Sequence, residues 1–312
     1  MRKAAIITVL WVLSTAHSSH AHATEVVASI KPIHALVAGV MGEAGEPRLM
    51  ITGAASPHTY QMRPSDAAVL SAADLIVWVG ENMETFLDRP IAILGSGAEV
   101  VTLHESAGLV LLPAREGGIW RDEERALLVD THDGHGHAHG EFDMHVWLDP
   151  GNARRIVDVV ANALARIDPG RGDIWRANAE TMRMRIDLLE SSLRERLAPV
   201  RGRAFLVFHD GYGYFEHAFG LNGKGAIAVD PARRPGAGRI AELRGALAEH
   251  DIRCVFSEPQ FEPNLVRTVI GGTGVRTAAL DPLGVDVEPG PDAWFEIMRG
   301  LGDAVAECLG GA

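Results

Sequence analysis

Cysteine is nearly missing from this chain. Only Cys254 and Cys308 occur in 312 residues, and neither is near the histidine-rich stretch, which argues against a cysteine-ligated zinc site. Positive charge is also scarce: 29 Lys and Arg stand against 41 Asp and Glu, a net of −12. An acidic surface argues against nucleic acid as a partner, and suits solubility and attraction of cations. Long apolar runs are lacking as well. Residues 4–13 form one near the N-terminus, but it is too short to cross a bilayer as a helix. No HExxH pattern occurs, so the helical signature of many zinc hydrolases is absent.

What is present begins with an export signal. Arg2 and Lys3 precede the apolar run, small and polar residues follow, and Ala21-His22-Ala23 supplies an A-x-A end. Residues 1–23 are therefore read as a signal peptide. Removing Arg2 and Lys3 with it takes the net charge from −12 to about −14. Export permits a disulfide. Pairing Cys254 with Cys308 would close a loop of about 55 residues, for which chain entropy gives roughly 4 kcal/mol. The alternative is two buried thiols; an oxidising compartment favours the bridge.

Beyond residue 24 strands and helices alternate. Short apolar runs at 25–30, 47–52, 74–80 and 99–103 read as strands, with helical spacings at 33–41, from 64, and at 83–94, the last interrupted by Pro90. The run DLIVWVG at 74–80 is continuous, as in a strand buried on both faces. Asp149-Pro150 opens a helix with Ile156, Val160, Leu164 and Ile167 on one face. A second helix follows at 173–197, about 38 Å long at 1.5 Å per residue. The alternation restarts with strands at 204–208, 226–229, 253–257 and 276–280. The predicted fold class is α/β: two βα lobes with parallel-type sheets, joined by one long helix. The expected boundaries are 24–170 for the N-terminal lobe, 171–199 for the linking helix and 200–312 for the C-terminal lobe. A histidine-rich loop occupies about 113–143.

Two kinds of histidine meet in that region. His132, His135, His137 and His139 sit among Gly, Ala and Asp with no apolar period, and read as an accessory loop able to hold metal weakly. Its bland reading is a solvated low-complexity loop. His145, in MHVWLDP, is fixed by its apolar neighbours. In open α/β sheets ligands bind beyond the carboxyl ends of strands. Four candidate ligands lie there: His58 after the strand near Met50, His145 before WLDP, His209 after AFLVF, and Asp281 after TAAL. Two come from each half, which puts the site in the cleft between lobes. Three imidazoles and a carboxylate suit a borderline divalent metal. Glu258, after CVFSE, could orient a ligand imidazole or be a plain strand-end carboxylate.

GAASPHTYQMRPSD, ADLIVWVGENMETFLD, HVWLDP, FHDGYGYFE and LDPLG, in that order, resemble the substrate-binding proteins of zinc ABC importers. The resemblance covers nearly the whole chain after residue 24. It implies two lobes with metal between them, His58, His145 and His209 as zinc ligands, a histidine-rich loop before the second ligand, and a disulfide in the second lobe. Some members carry an acidic residue just before the first histidine; here it is Pro57, leaving the fourth place to Asp281 or water. Manganese and iron receptors of the same type typically have a carboxylate at the third position, where this chain has His209. The expectation is a monomeric periplasmic receptor, not an enzyme, that delivers Zn2+ to an inner-membrane permease driven by a cytoplasmic ATPase. The rivals are a manganese or iron receptor, a secreted zinc hydrolase using Asp210 or Glu258 as base, and a periplasmic metal buffer with no transporter.

Overall fold

The continuous apolar run in the first half forms β3 (Leu75–Trp78), buried along its whole length. It pairs in parallel with β1 (Val26–Ala28) and with β4 (Glu99–Thr102), and β2 (Arg48–Leu49) pairs with β1, giving the order β2-β1-β3-β4. The second half repeats the plan. β5 (Ala204–His209), β6 (Asn222–Ala228), β7 (Cys254–Ser257) and β8 (Arg276–Ala279) make a parallel sheet in the order β6-β5-β7-β8. The structure is a computed structural model and describes residues 24–115, 119–120, 142–228, 235–261 and 264–311.

In each sheet the chain steps to one side of its first strand, then returns to the other. The crevices at β1/β3 and β5/β7 are therefore switch points, where the connecting loops part. The helices α1 (Lys31–Met41), α2 (Pro64–Ser71) and α3 (Asp88–Leu94) belong to the first half. α6 (Gly213–Phe219), α7 (Ala237–Glu249), α8 (Asn264–Ile270) and α9 (Ala293–Gly310) belong to the second. Between them run α4 (Pro150–Ile167), capped by the Asp149 side chain accepting from Asn152 N–H, and α5 (Gly172–Leu197). Among the described residues no helix is long and apolar enough to cross a membrane.

α5 carries one apolar stripe from end to end: Trp175, Ala179, Met182, Ile186, Leu189, Leu193 and Leu197 are buried. The stripe packs on α4, on α1 of the first half and on α9 of the second. Two glycines set how closely it lies. A Cβ at Gly39 of α1 would fall 2.4 Å from Met182, and one at Gly302 of α9 would fall 2.4 Å from Leu193. Each buried side chain of this size contributes about 1.5–3 kcal/mol relative to exposure.

The two halves are also tied directly. The Lys31 ammonium, at the start of α1, donates to the carbonyl oxygens of Gly284, Val285 and Val287 beyond β8. Trp147 Nε1 donates to Pro282 O at 3.0 Å, and Trp294 Nε1 to Trp147 O at 2.9 Å. Before the histidine-rich region, Ile119 bridges antiparallel to Gly225, and Trp120 N–H donates to Lys224 O, so this stretch lies along the free edge of β6. The Cys254–Cys308 disulfide is present, with Cα atoms 6.1 Å apart, and ties β7 to α9.

Several edges differ from those the sequence suggests. α1 starts at Lys31, because Pro32 sits in its first turn, where a missing N–H costs nothing. The helix expected over 83–94 is only α3, with Pro90 near its start. The turn before it is held by Glu84, whose carboxylate accepts from Ser29 Oγ at 2.5 Å and from the N–H groups of Val79 and Gly80. β2 is two residues long rather than six, since only Arg48 and Leu49 face β1 in register.

Candidate metal centre

His209 is the last residue of β5, and Glu258 follows the last residue of β7. These strands flank the second sheet's switch point, so the two side chains meet there by topology. His209 Nδ1 lies 2.5 Å from Glu258 Oε1, and both are buried. A carboxylate only accepts, so Nδ1 carries the hydrogen and Nε2 is left with its lone pair. His145 is set the same way by a local device. Asp143, two residues earlier, accepts from His145 N–H at 2.9 Å and from its Nδ1 at 2.7 Å. The short 3₁₀ turn Val146–Leu148 follows, fully buried, and fixes the direction of the ring.

The outcome is two Nε2 atoms 3.2 Å apart, facing each other. Two lone pairs at that distance need a proton or a cation between them. The third imidazole, His58, comes from the loop after β2. Its ring centroid stands 5.5 Å from that of His145 and 5.8 Å from that of His209. Its Nε2 is buried with no hydrogen-bond partner. One nitrogen from each of His58, His145 and His209 lies within 4.8 Å of the others, the one such group of His, Cys, Asp and Glu among the described residues.

The rings open on a cavity of about 10 Å³, lined also by Trp147, Glu258, Gln260, Phe261, Pro282 and Leu283. Gly211 lies over it: a Cβ there would fall 2.6 Å from His209 Nε2 and 3.0 Å from His145 Nε2. The imidazoles differ electrostatically. Burial pushes His58 well below the usual 6.5, and the neighbouring His145 and His209 push it the same way. Burial opposes charge on His209 too, but the carboxylates of Glu258, Asp210 and Asp143 together outweigh it, and the net shift is upward.

The sequence candidates divide. His58, His145 and His209 converge. Asp281 does not join them: Oδ1 accepts from Gln260 Nε2 at 2.7 Å and from the N–H groups of Leu283 and Gly284, and Oδ2 accepts from Val285 N–H at 2.5 Å. An aspartate at a strand end whose chain curls back is captured by the turn's own donors. His132, His135, His137 and His139 lie outside the described residues. Glu258 takes the orienting position, beside the Tyr212 hydroxyl. Asp210, a candidate base for hydrolysis, is held by Arg115, whose Nε lies 2.9 Å from its Oδ1 and whose Nη1 reaches Glu216 at 2.8 Å. Burial weighs against the Arg115 charge, and Glu216 with Asp210 overcomes it, so its pKa is raised further. Asp143 and Gly211 were not singled out from sequence, although D-x-H and H-D-G each place them two residues from a candidate histidine.

The family model for ZnuA, described as zinc-uptake complex component A periplasmic, matches residues 26–308. This chain belongs to that family. The high-affinity zinc uptake system protein ZnuA of Brucella abortus (strain 2308) is 41% identical over 304 residues, 91% of each chain. The protein of the same name from Yersinia pestis is 34% identical over 291 residues, again 91% of each. Among solved structures, a crystal structure of ZnuA superposes with a TM-score of 0.76 at 23% identity, covering 92% of this chain and all of that one. The ZnuA family is thus carried by sequence over nearly the whole length, and its two-lobed fold by structure.

Proposed function

We propose that this chain is a periplasmic zinc receptor that binds Zn2+ through His58, His145 and His209 and delivers it to an inner-membrane ABC permease. The observation that carries this reading is the convergence of three imidazole nitrogens within 4.8 Å. Two of the rings have their Nδ1–H held by a carboxylate, so Nε2 faces the cavity as a free donor. Such orientation of metal-binding imidazoles raises their basicity and removes the need to reorder them on binding. Three neutral nitrogen donors suit zinc better than manganese or ferrous iron, which prefer oxygen.

Capture requires Nε2 without a proton, so zinc binding releases protons and weakens in acid. Membership of the family supports the periplasmic location. Residues 1–23 act as the export signal, and His132, His135, His137 and His139 hold zinc weakly as an accessory loop. The receptor works as a monomer, performs no chemistry on its cargo, and meets the permease while a cytoplasmic ATPase drives transfer. The apolar stripe of α5, shared by both halves, keeps their relative movement small during loading.

Calorimetric zinc titration of metal-free protein lacking residues 1–23 tests this reading, alongside His209→Ala and a variant lacking residues 132–139. One tight event in the parent is expected, lost in His209→Ala and kept in the loop deletion. Equal tight binding by the parent and His209→Ala would move the main site elsewhere.

A further inference from the structure

Three imidazoles leave a tetrahedral ion one position short. The cavity is about 10 Å³, the room of roughly one water-sized sphere. The fourth donor is then a water or a protein atom already at the cavity wall. The wall offers few. Glu258 Oε1 is engaged by the Nδ1 and the backbone N–H of His209, and the Tyr212 hydroxyl donates to Leu280 O at 3.3 Å. Asp281 is engaged by three N–H donors of its own loop and by Gln260.

Gln260 differs. It lines the cavity beside the three histidines, and its Oε1 is buried with no hydrogen-bond partner. A buried amide oxygen left unpaired is unfavourable, so something that satisfies it is expected. Nor can the amide turn round to relieve it. Its nitrogen end donates to Asp281 Oδ1 at 2.7 Å. An ionised carboxylate has no hydrogen to offer, so the amide oxygen cannot take that place. Asp281 is in turn held by the backbone N–H groups of Leu283, Gly284 and Val285.

We propose that Gln260 Oε1 is the fourth ligand to the ion, and that Asp281 is the positioning residue that fixes its amide. This rests on the three-histidine reading above. Charge balance agrees. Asp143 and Glu258 stand behind two of the imidazoles, and their two negative charges match a divalent ion. A neutral carbonyl oxygen completes the shell without adding a third. The proposal also gives Asp281 a role it can fill from where it stands.

The test compares the parent protein with Gln260→Leu, Gln260→Glu, Asp281→Ala and His209→Ala. Zinc affinity is read by competition with a chromophoric chelator, and geometry by the visible spectrum of the cobalt(II) form. Melting curves without metal confirm that each variant is folded. Gln260→Leu is expected to weaken zinc by about 10- to 100-fold and to alter the cobalt bands. Gln260→Glu, which keeps an oxygen at that end, should bind more tightly than Gln260→Leu. Asp281→Ala should weaken binding and change the same bands, with little added effect when combined with Gln260→Leu. Parent-like affinity in Gln260→Leu, with His209→Ala inactive, overturns the proposal and leaves the three histidines standing. Weakened zinc with unchanged cobalt bands overturns it too, since that is a packing effect. If His209→Ala binds like the parent, the three-histidine reading falls and the proposal with it.

Discussion

Gly211→Ala is a sharp test of where the ion sits. Gly211 closes a tight turn after β5, its N–H donating to His209 O at 3.0 Å. Its backbone is outside the left-handed region, so alanine is conformationally acceptable. The added methyl carbon, however, would stand 2.6 Å from His209 Nε2 and 3.0 Å from His145 Nε2, where ordinary contact begins at 3.4 Å. The His209 ring must therefore retreat by about 0.8 Å. Zinc–nitrogen bonds tolerate about 0.2 Å around 2.0–2.1 Å. The ion then loses at least one imidazole and most of its space. Zinc affinity should fall at least about 100-fold, equivalent to about 2.7 kcal/mol. The metal-free melting temperature should change little, because the rings can move into the emptied cavity. Gly202→Ala, with nothing within 4 Å of its Cβ position, is the control. Chelator competition reads the affinity and circular dichroism the stability. If Gly211→Ala binds zinc within about threefold of the parent while folded, the ion does not lie between His145 and His209.

Glu258→Gln should weaken zinc by about 10- to 100-fold at pH 8, and its deficit should shrink toward pH 6. Burial alone would lower the His209 pKa, and Glu258, aided by Asp210 and Asp143, turns this into a net rise above 6.5; without the Glu258 charge, proton competition for Nε2 sets in at lower pH. The same shift makes a stability signature in metal-free protein. The raised His209 pKa contributes stability that is full below 6.5 and lost as pH rises through the folded value, a decline that chemical denaturation should no longer show in the variant. Replacing Cys254 and Cys308 together by Ser releases a loop spanning a separation of 54 residues, and urea unfolding should show a loss of about 4 kcal/mol. Gly302→Ala drives a methyl group to within 2.4 Å of Leu193; overpacking of this kind costs about 1–3 kcal/mol, visible as a melting point several degrees lower.

Much of this architecture was legible from residue order. The unbroken LIVW of β3 reads as a strand buried on both faces, and it is one. The Asp149-Pro150 pair reads as a helix start, and the Asp149 side chain caps α4. The limits of such reading show at residues 83–94, where helical composition gave way to a turn. There the Glu84 carboxylate, drawn to Ser29, 55 residues away, and to the nearby N–H groups of Val79 and Gly80, outcompetes helix propensity. Burial raises its pKa to about 7, even with those three donors opposing the shift.

His58, His145 and His209 could be picked out because each follows a strand or flanks a short fixed turn, and chain order alone puts strand ends on one side of a parallel sheet. Apolar periodicity likewise determined the two βα halves and the long helix, since burial depends on local spacing of side chains. What tertiary structure alone decided are the partners. A carboxylate such as Asp281 or Glu258 has the same chemistry wherever it stands, and becomes a ligand, an orienting group or a turn acceptor according to which donors come nearest. For Asp281 those were its own loop and Gln260; for Glu258 it was the imidazole across a switch point. That choice depends on distances of a few tenths of an ångström between segments far apart in the chain, and only packing sets them.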